Sequence, residues 1–283
     1  MTKGVTLAQS KLVLVTAAPG KQGGACVEAL LTRGHQVRAL TRNSASPAAN
    51  RLRERGVEIT VGDFSDRDSL MRAARGADAV YAMSTPYEQG AEKETAQGIT
   101  ITDAARAARV GHFVYSSVAS ANRGTGIGHF DGKYTVEKHL QASGVPYTIV
   151  APVFFMENLL QPWTLPSLRQ GKLTMALPAS RLLQQITVAD TGRSWQRSLS
   201  AVTPSSVVVL ISPGMSQRAT KPQRFCPRSR GAKSAMKDFR QRSYVPGAKI
   251  WLGCSAGSVA QGMPPTSRTC GAGRSFFPFS VNV

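Results

Sequence analysis

The stretch VTAAPGKQGGACVEALLTRGHQVRALTRN, residues 15–43, decides the fold. It reads as the end of a strand, a glycine-containing turn, an amphipathic helix and a second strand. The turn has the spacing Ala17-x-x-Gly20-x-x-Gly23. Glycines between a strand and a helix let the backbone approach a pyrophosphate that binds at the helix N-terminus. The stretch therefore predicts a dinucleotide site, and a simple strand–helix turn without a ligand is the alternative.

Alanine stands at the first position of this motif, where such loops usually carry glycine. If the backbone of Ala17 needs a positive φ, its β-carbon costs roughly 1 kcal/mol of strain. If φ is negative, alanine is tolerated. Pro19 also stiffens the turn. We expect dinucleotide binding to be weakened here and not lost.

The end of the second strand predicts which dinucleotide binds. A cofactor with a free 2′-hydroxyl is usually met there by an acid, whereas a 2′-phosphate is met by arginine. This chain has Thr41-Arg42-Asn43 and no acid at that point. The guanidinium of Arg42 matches a phosphate, so NADP(H) is expected over NAD(H). A solvated arginine without a ligand is the alternative interpretation.

The first 150 residues alternate between apolar runs of strand length and segments of helical period, which predicts βαβ units. The expected fold class is α/β, a doubly wound parallel sheet of the Rossmann type. Glycines at 34, 56, 76 and 144 follow helical segments, where a left-handed cap favours glycine. The predicted strands are residues 11–16, 36–41, 57–61, 79–83, 111–116 and 147–151, and the predicted helices are residues 23–33, 48–55, 67–74, 92–109 and 134–143.

The alternation stops near residue 190, so we expect a domain over residues 11–190 and an irregular or only partly folded basic segment over 191–283. The second part carries 14 Lys and Arg against one acid, Asp238, of the chain's 35 and 16. Its only plausible strand is at residues 206–211. Two interpretations stay open: a disordered basic tail, or translation of a GC-rich gene in a shifted frame, in place of a substrate-covering lobe.

Several classes of protein are not indicated. No apolar run approaches the length of a membrane span and no signal peptide is recognisable, so a cytoplasmic location is expected. The four cysteines have no Cys-x-x-Cys spacing, and no metal site is predicted. The basic run at 218–242 has only two interleaved aromatics, which makes nucleic acid an unexpected partner. Gly-Cys-Ser-Ala-Gly at 253–257 matches a nucleophile elbow, but no acid or histidine follows it.

Seven segments in order resemble the NmrA-like proteins, an atypical branch of the short-chain dehydrogenase/reductases, over residues 11–190. They are VTAAPGKQGG, VRALTRN, VGDFSD, YSSVAS, HFDGKYTVEKHL, YTIVAPVFFMENLL and ITVAD. The resemblance implies a Rossmann domain with a smaller C-terminal lobe over the substrate cleft, and binding of NADP(H). Some members reduce small molecules and others are redox-sensing regulators.

Carried over by position, the resemblance implies a set of cofactor-binding residues. The pyrophosphate would lie on Ala18, Gly20, Lys21, Gln22 and Gly23, and the 2′-phosphate on Arg42 and Asn43. Asp63 and Phe64 would border the adenine, and Ser84 and Thr85 would line the ribose and diphosphate. Lys133 would reach the nicotinamide ribose, with Phe155 and Asn158 near the nicotinamide.

Catalysis is less clearly indicated than binding. Ordinary short-chain dehydrogenases place a tyrosine four residues before the lysine, and here that position is His129. A histidine can transfer a proton near neutral pH, so His129 and Lys133 are candidates, and a loop histidine without a role is the alternative. Ser116 and Ser117 lie at the end of the fifth predicted strand. Two interpretations are open for them: catalytic hydroxyls, or polar strand-end residues without a catalytic role. The predicted function is a reductase of a small carbonyl or quinone, or a non-catalytic NADPH/NADP sensor with a regulatory protein partner.

Overall fold

The central feature of the computed structural model is a parallel sheet of seven strands. The structure describes residues 10–170, 182–199, 206–210 and 216–218. All neighbours in the sheet pair in parallel, in the order β3-β2-β1-β4-β5-β6-β9. The strands are β1 (Leu12–Val15), β2 (Gln36–Thr41), β3 (Glu58–Val61), β4 (Ala79–Ala82), β5 (His112–Ser116), β6 (Tyr147–Pro152) and β9 (Ser206–Leu210). The first six follow the Rossmann order, which confirms the predicted fold class.

The strand order reverses between β1 and β4, and this reversal positions the site. The chain leaves β1 towards β2 on one side and leaves β4 towards β5 on the other. The two outgoing loops therefore diverge and open a crevice above the carboxyl ends of the strands, where ligands of open α/β sheets bind. The glycine turn at residues 17–20 lies on one side of this crevice, and the loop after β4 lies on the other.

Helices cover both faces of the sheet. One core contains Val27 and Leu30 of α1, Leu52 of α2 and Trp195 of α7. The other contains Leu70 of α3, Ile101 of α4 and Leu140 of α5. The helices are α1 (Lys21–Thr32), α2 (Pro47–Arg53), α3 (Arg67–Ala74), α4 (Gly90–Ala107), α5 (Gly128–Ala142), α6 (Leu165–Arg169) and α7 (Val188–Ser198).

Ordered structure continues past the boundary predicted after residue 190. Helix α7 contains that boundary and packs against α1 at Gly192, where an added β-carbon would lie 2.4 Å from the carbonyl oxygen of Ala25. Trp195 is 1% exposed, and its ring lies 4.3 Å from that of Tyr81. The expected strand near residue 206 is present as β9, which adds a seventh strand beside β6.

A second, small sheet joins β7 (Phe154–Phe155) in parallel to β8 (Leu182–Ile186), which pairs antiparallel with β10 (Ser216–Arg218). A short 3-10 helix, Met156–Leu160, follows β7. Residues 219–283 lie outside the described residues. Most of the basic run at 218–242 and the Gly-Cys-Ser-Ala-Gly motif lie there too.

Helix α5 differs from its prediction because it begins at Gly128 and not at Tyr134. Gly128 and Gly132 conceal the helical pattern in the sequence. Gly132 faces α4 so closely that a β-carbon would lie 2.3 Å from Oγ1 of Thr95, so this glycine serves helix packing and does not end a helix. The expectation of left-handed glycine caps is confirmed, since Gly34, Gly56, Gly76 and Gly144 all have φ between 72° and 79°.

Two findings concern the membrane-spanning and metal-binding classes of protein, which the sequence does not indicate. In the part of the chain that the structure describes, no helix combines the length and apolarity that crossing a membrane requires. The same part contains no cluster of His, Cys, Asp and Glu that would hold a metal ion.

Candidate functional site

The glycine turn is tight and strained at its first residue. Ala17 has a φ of 49°, in the left-handed region that disfavours a β-carbon. Its carbonyl oxygen accepts a hydrogen bond from the N–H of Gly20 at 2.9 Å. A β-carbon on Gly23 would lie 2.1 Å from that same oxygen, so only glycine fits there. The first of the two expectations for Ala17 is therefore the correct one: the turn forms with alanine in a conformation that suits glycine.

The N-terminus of α1 has the character of an anion site. Gly20 precedes the helix and gives no side-chain cap, and the first turn carries no acid. The opening N–H groups of a helix have no acceptor within the helix, and the helix dipole adds partial positive charge. Lys21 is exposed beside them, whereas Ala18 is buried beneath the turn. Gln22 accepts a hydrogen bond at its Oε1 from the Ser116 hydroxyl, at 3.1 Å.

Arg42 lies at the edge of the crevice with an acidic partner. Its Nη2 is 3.1 Å from Oε2 of Glu88, in the loop after β4, and the two side chains are 63% and 45% exposed. An exposed pair of this kind contributes about 0–1 kcal/mol. A dianionic phosphate can therefore compete with Glu88 for the guanidinium, and the arginine remains available to an anion.

The other three residues expected near the adenosine make local contacts. Asn43 accepts a hydrogen bond at Oδ1 from the N–H of Ala45, at 2.9 Å. Asp63 accepts from the hydroxyl and the N–H of Ser65, at 2.6 and 2.7 Å, and these bonds, with a smaller contribution from Arg42, lower its pKa. Phe64 packs against the core under α3 and α4.

The loop after β4 presents a buried hydroxyl without a partner. The Thr16 hydroxyl joins the ends of β1 and β4, since it donates to the carbonyl of Met83 and accepts from its N–H. Beyond it, Ser84 is 5% exposed, and its Oγ has no hydrogen-bond partner among the described residues. Thr85 accepts a hydrogen bond from the N–H of Tyr87 at 3.4 Å. A buried hydroxyl without a partner of regular geometry, just after β4, is the kind of group that a polar ligand satisfies.

Lys133 is more deeply buried than a residue that simply lines the cleft would be. Its Nζ is 2.9 Å from Oε1 of Glu94, on α4, and donates to the carbonyl oxygens of Ser116 at 3.1 Å and Ser84 at 3.4 Å. The lysine side chain is 10% exposed. It therefore brings a buried positive charge to the carboxyl ends of β4 and β5.

His129 lies on the first turn of α5, which corrects its interpretation as a loop residue. It is half-buried, one turn before Lys133 on the same face of the helix. Burial lowers its pKa, and the charge of Lys133 lowers it further. The imidazole is therefore mainly neutral at pH 7, which makes it a poor proton donor.

The serine pair at the end of β5 divides between two partners. Ser116 bonds to Gln22 of α1, while Ser117 donates a short hydrogen bond to Oε1 of Glu137 on α5. Burial raises the pKa of Glu137, and the bond from Ser117 and the charge of Lys133 oppose that rise. Both serines are thus tied to side chains inside the domain.

Phe155 and Asn158 lie on β7 and on the 3-10 helix that follows it, directly after β6 in the chain. Phe155 is half-buried and packs against the core under α1 and α7. Glu157, between them, accepts the N–H of Val188 through both carboxylate oxygens, at 3.0 and 3.1 Å. This contact fixes the short helix to the start of α7.

Sequence reasoning missed three acids that shape this site: Glu88, Glu94 and Glu137. Glu137 follows Lys133 by four residues, a spacing that places the two on one helix face, so a signal was present. Glu94 lies among ordinary polar residues of α4, and Glu88 lies in a loop. Their contacts depend on how separate segments pack, which no local pattern shows.

Comparison with known proteins gives a consistent result. A family model described as the NmrA-like family matches residues 9–213. An NAD(P)H azoreductase of Xenophilus azovorans is 34% identical over 151 residues, which are 53% of this chain and 50% of that protein. The photosystem II assembly factor Ycf39 of Trieres chinensis is 31% identical over 162 residues, or 55% and 50%. The chain thus spans about half the length of these relatives.

A solved structure extends the likeness to the fold. The NADPH-dependent quinone oxidoreductase of Escherichia coli, in complex with NADPH, superimposes with a TM-score of 0.63 at 25% identity. The match covers 72% of this chain and 70% of that one.

Proposed function

The chain belongs to the NmrA-like family, and on that premise we propose that it binds NADP(H) in the crevice above β1 and β4 and uses it to reduce a small carbonyl or quinone. The observation that carries this proposal is the turn before α1. Its helix N-terminus has no cap and no acid, and a β-carbon at Gly23 would collide with the Ala17 carbonyl. Such a cradle fits a diphosphate.

The residues present fit the rest of the dinucleotide. Arg42 offers a guanidinium to the 2′-phosphate, with only the exposed Glu88 carboxylate to displace. The buried, unpartnered Ser84 hydroxyl would bond to the ribose or diphosphate. Lys133 would add positive charge near the nicotinamide ribose, with Phe155 and Asn158 beside the nicotinamide. We propose that Asn43 helps to bind the 2′-phosphate, that Asp63 and Phe64 border the adenine, and that Thr85 lines the ribose and diphosphate with Ser84.

The reaction needs a hydride and a proton. Bound NADPH supplies the hydride, and this chain must orient the acceptor and provide or admit the proton. His129 is mainly neutral, and Lys133 is engaged by Glu94. Neither side chain replaces the tyrosine of ordinary short-chain dehydrogenases well, so we expect turnover to be slow and fastest with quinones, whose reduced forms take protons readily from water.

The absence of a tyrosine at position 129 favours a second function, a non-catalytic sensor of the NADPH/NADP ratio. A sensor needs the diphosphate cradle and the Arg42 site but no proton donor. It would change its contacts with a regulatory protein according to the cofactor bound. Steady oxidation of NADPH with a panel of quinones and aldehydes supports the reductase, and tight binding without turnover supports the sensor.

Calorimetric titration with NADPH and NADH tests the binding proposal. Arg42→Gln should weaken NADPH binding about 10–100-fold, because charge-assisted hydrogen bonds to the 2′-phosphate contribute about 1.5–3 kcal/mol. NADH binding should change little. Arg51→Gln, at an exposed arginine of α2, is the matched control and should leave both affinities unchanged. Equal losses for NADPH in the two variants would contradict the role of Arg42.

The domain and location assignments remain part of the proposal. We propose that residues 191–283 include the point at which the reading frame shifts, and that the substrate-covering lobe of the family is incomplete in this chain. A cytoplasmic protein without a membrane or nucleic-acid partner fits the sequence. Sequencing the gene tests the first point: a neighbouring frame that continues the family pattern supports it, and early stop codons there contradict it.

A further inference from the structure

Lys133 and Glu94 form a buried ion pair beneath the crevice. Nζ and Oε1 are 2.9 Å apart, and the side chains are 10% and 1% exposed. Neither carboxylate oxygen of Glu94 accepts a hydrogen bond of regular geometry from the described residues, so the contact with Lys133 is an ion pair. Removing two charges from water is unfavourable unless their geometry compensates. A buried ion pair of this kind need not stabilise the fold, which points to a role for it in the site.

The close packing of α4 and α5 brings the two charges together. Gly98 of α4 faces Val136, where a β-carbon would lie 2.6 Å from Cγ2. Gly132 of α5 faces Thr95, with a corresponding distance of 2.3 Å to Oγ1. The helices can approach this closely only because each presents a glycine to the other. Glu94, one turn before Gly98, then reaches the lysine next to Gly132.

Several groups hold the ammonium at one position. An ammonium has three N–H donors, and here it donates to the carbonyl oxygens of Ser116 and Ser84 and forms the ion pair with Glu94, while the Tyr115 side chain also interacts with it. Those carbonyls lie at the carboxyl ends of β5 and β4. The positive charge is thus held under the strand ends, where the crevice opens.

We infer that Glu94 is a positioning residue, the counter-ion that keeps Lys133 as a fixed cation under the bound dinucleotide and prevents it from exchanging protons with the substrate. The inference rests on the proposed function only in that the crevice holds the dinucleotide. The charge and position of Lys133 are properties of the cofactor-free protein and can be tested without any ligand.

The surroundings of Lys133 support this role. Burial lowers the pKa of Lys133, but Tyr115 and Glu94 raise it by more, so the net direction is upward. The ammonium also lies 5.4 Å from the centre of the Tyr115 ring. The titratable groups that interact with Lys133 from the elements around it are Tyr87 in the loop after β4, Glu94 on α4, Tyr115 on β5, and His129 and Glu137 on α5.

The direct test is an NMR titration of the Lys133 ammonium in cofactor-free protein, with its signal assigned by its loss in Lys133→Arg. We expect Lys133 in the wild type to titrate above the exposed lysines. In Glu94→Gln the pKa should fall by about 1–3 units, the effect of losing an opposite charge within contact distance. Glu94→Asp should restore most of it. Glu92→Gln, at an exposed acid of the same helix, should change nothing.

A binding measurement connects this charge to the cofactor. Between pH 7 and pH 9, the NADPH affinity of the wild type should fall by about as much as that of the control variant Glu92→Gln. Glu94→Gln should lose more affinity over the same range, in proportion to the fraction of its Lys133 that the NMR titration shows to be neutral at pH 9. If the wild type binds no NADPH, the proposed function fails while the ligand-free titration still decides the role of Glu94.

Two results would overturn the inference. One is a wild-type Lys133 that titrates below the exposed lysines, a result that holds even if Glu94→Gln does not fold. The other is a folded Glu94→Gln protein in which the Lys133 titration is unchanged.

Discussion

Replacing Ala17 with glycine should make the protein more stable, although glycine usually destabilises. Ala17 has a φ of 49°, where a β-carbon costs about 1–2 kcal/mol. Glycine removes that strain but increases the entropy of the unfolded chain, which costs about 0.4–1 kcal/mol. The net gain expected for Ala17→Gly is therefore about 0–1.6 kcal/mol in the free energy of unfolding, centred near 0.8 kcal/mol.

A second alanine isolates the strain from the entropy. Ala119 is also half-buried and in a turn, but it is not among the described residues with positive φ. Ala119→Gly should therefore destabilise by about 0.5–1 kcal/mol through the unfolded state alone. Because that contribution is common to both variants, their difference measures the strain at Ala17, about 1–2 kcal/mol.

Urea unfolding at neutral pH, followed by fluorescence with a common slope for all three proteins, gives the comparison. The reasoning is refuted if the midpoint of Ala17→Gly falls as far as that of Ala119→Gly. In that case alanine would be comfortable at the turn, and its backbone would not have the left-handed conformation on which the strain depends.

Further predictions concern packing and ionisation. Gly23→Ala should lower the free energy of unfolding by at least about 1–3 kcal/mol and abolish NADPH binding. Gly24→Ala, whose added β-carbon has its nearest contact at 3.6 Å, should leave stability unchanged or raise it by up to about 1 kcal/mol. Urea unfolding measures the stabilities, and calorimetry measures the binding. Trp195→Ala should lower the free energy of unfolding by about 3–5 kcal/mol, whereas Trp163→Ala, at a residue 48% exposed, should lower it by less than about 0.5 kcal/mol. Equal effects of the two variants in urea unfolding would mean that α7 does not pack into the domain core. The folded-state pKa of Glu137 is raised, so its protonated form contributes stability that is present below about pH 4.3 and is lost as pH rises through the folded-state value. Glu137→Gln should therefore gain stability relative to the wild type from pH 4 upward, and a flat difference in unfolding free energy would contradict the raised pKa.

Local patterns predicted the sheet well because each strand and helix carries its own periodicity. The run Leu12–Val15, the turn at 17–20 and the strand Gln36–Thr41 follow from one short stretch. The beginning of α5 was not predictable in the same way. Its Gly128 and Gly132 look like helix breakers in the sequence, and only the contact of Gly132 with Thr95 shows why glycine is there.

The candidate site was predictable only in part, for the same physical reason. The strand–glycine–helix order predicts the glycine turn before α1, because those residues are neighbours in the chain. The φ of Ala17 was left open, since it depends on the geometry of the turn. The pairing of Lys133 with Glu94 depends on the packing of α4 on α5, and the pairing of Arg42 with Glu88 depends on two separate loops.

The central claim is that the turn before α1 binds the diphosphate and Arg42 binds the 2′-phosphate. The most direct measurement is a titration of the isotope-labelled protein with NADP⁺, followed by NMR of the backbone amides and the arginine side chains. The largest shifts should occur at the amides of Gly20 and Gly23 and at the Arg42 guanidinium, and NAD⁺ should shift the two amides but not the guanidinium. Saturable binding that leaves these signals in place, or no binding at all, would contradict it.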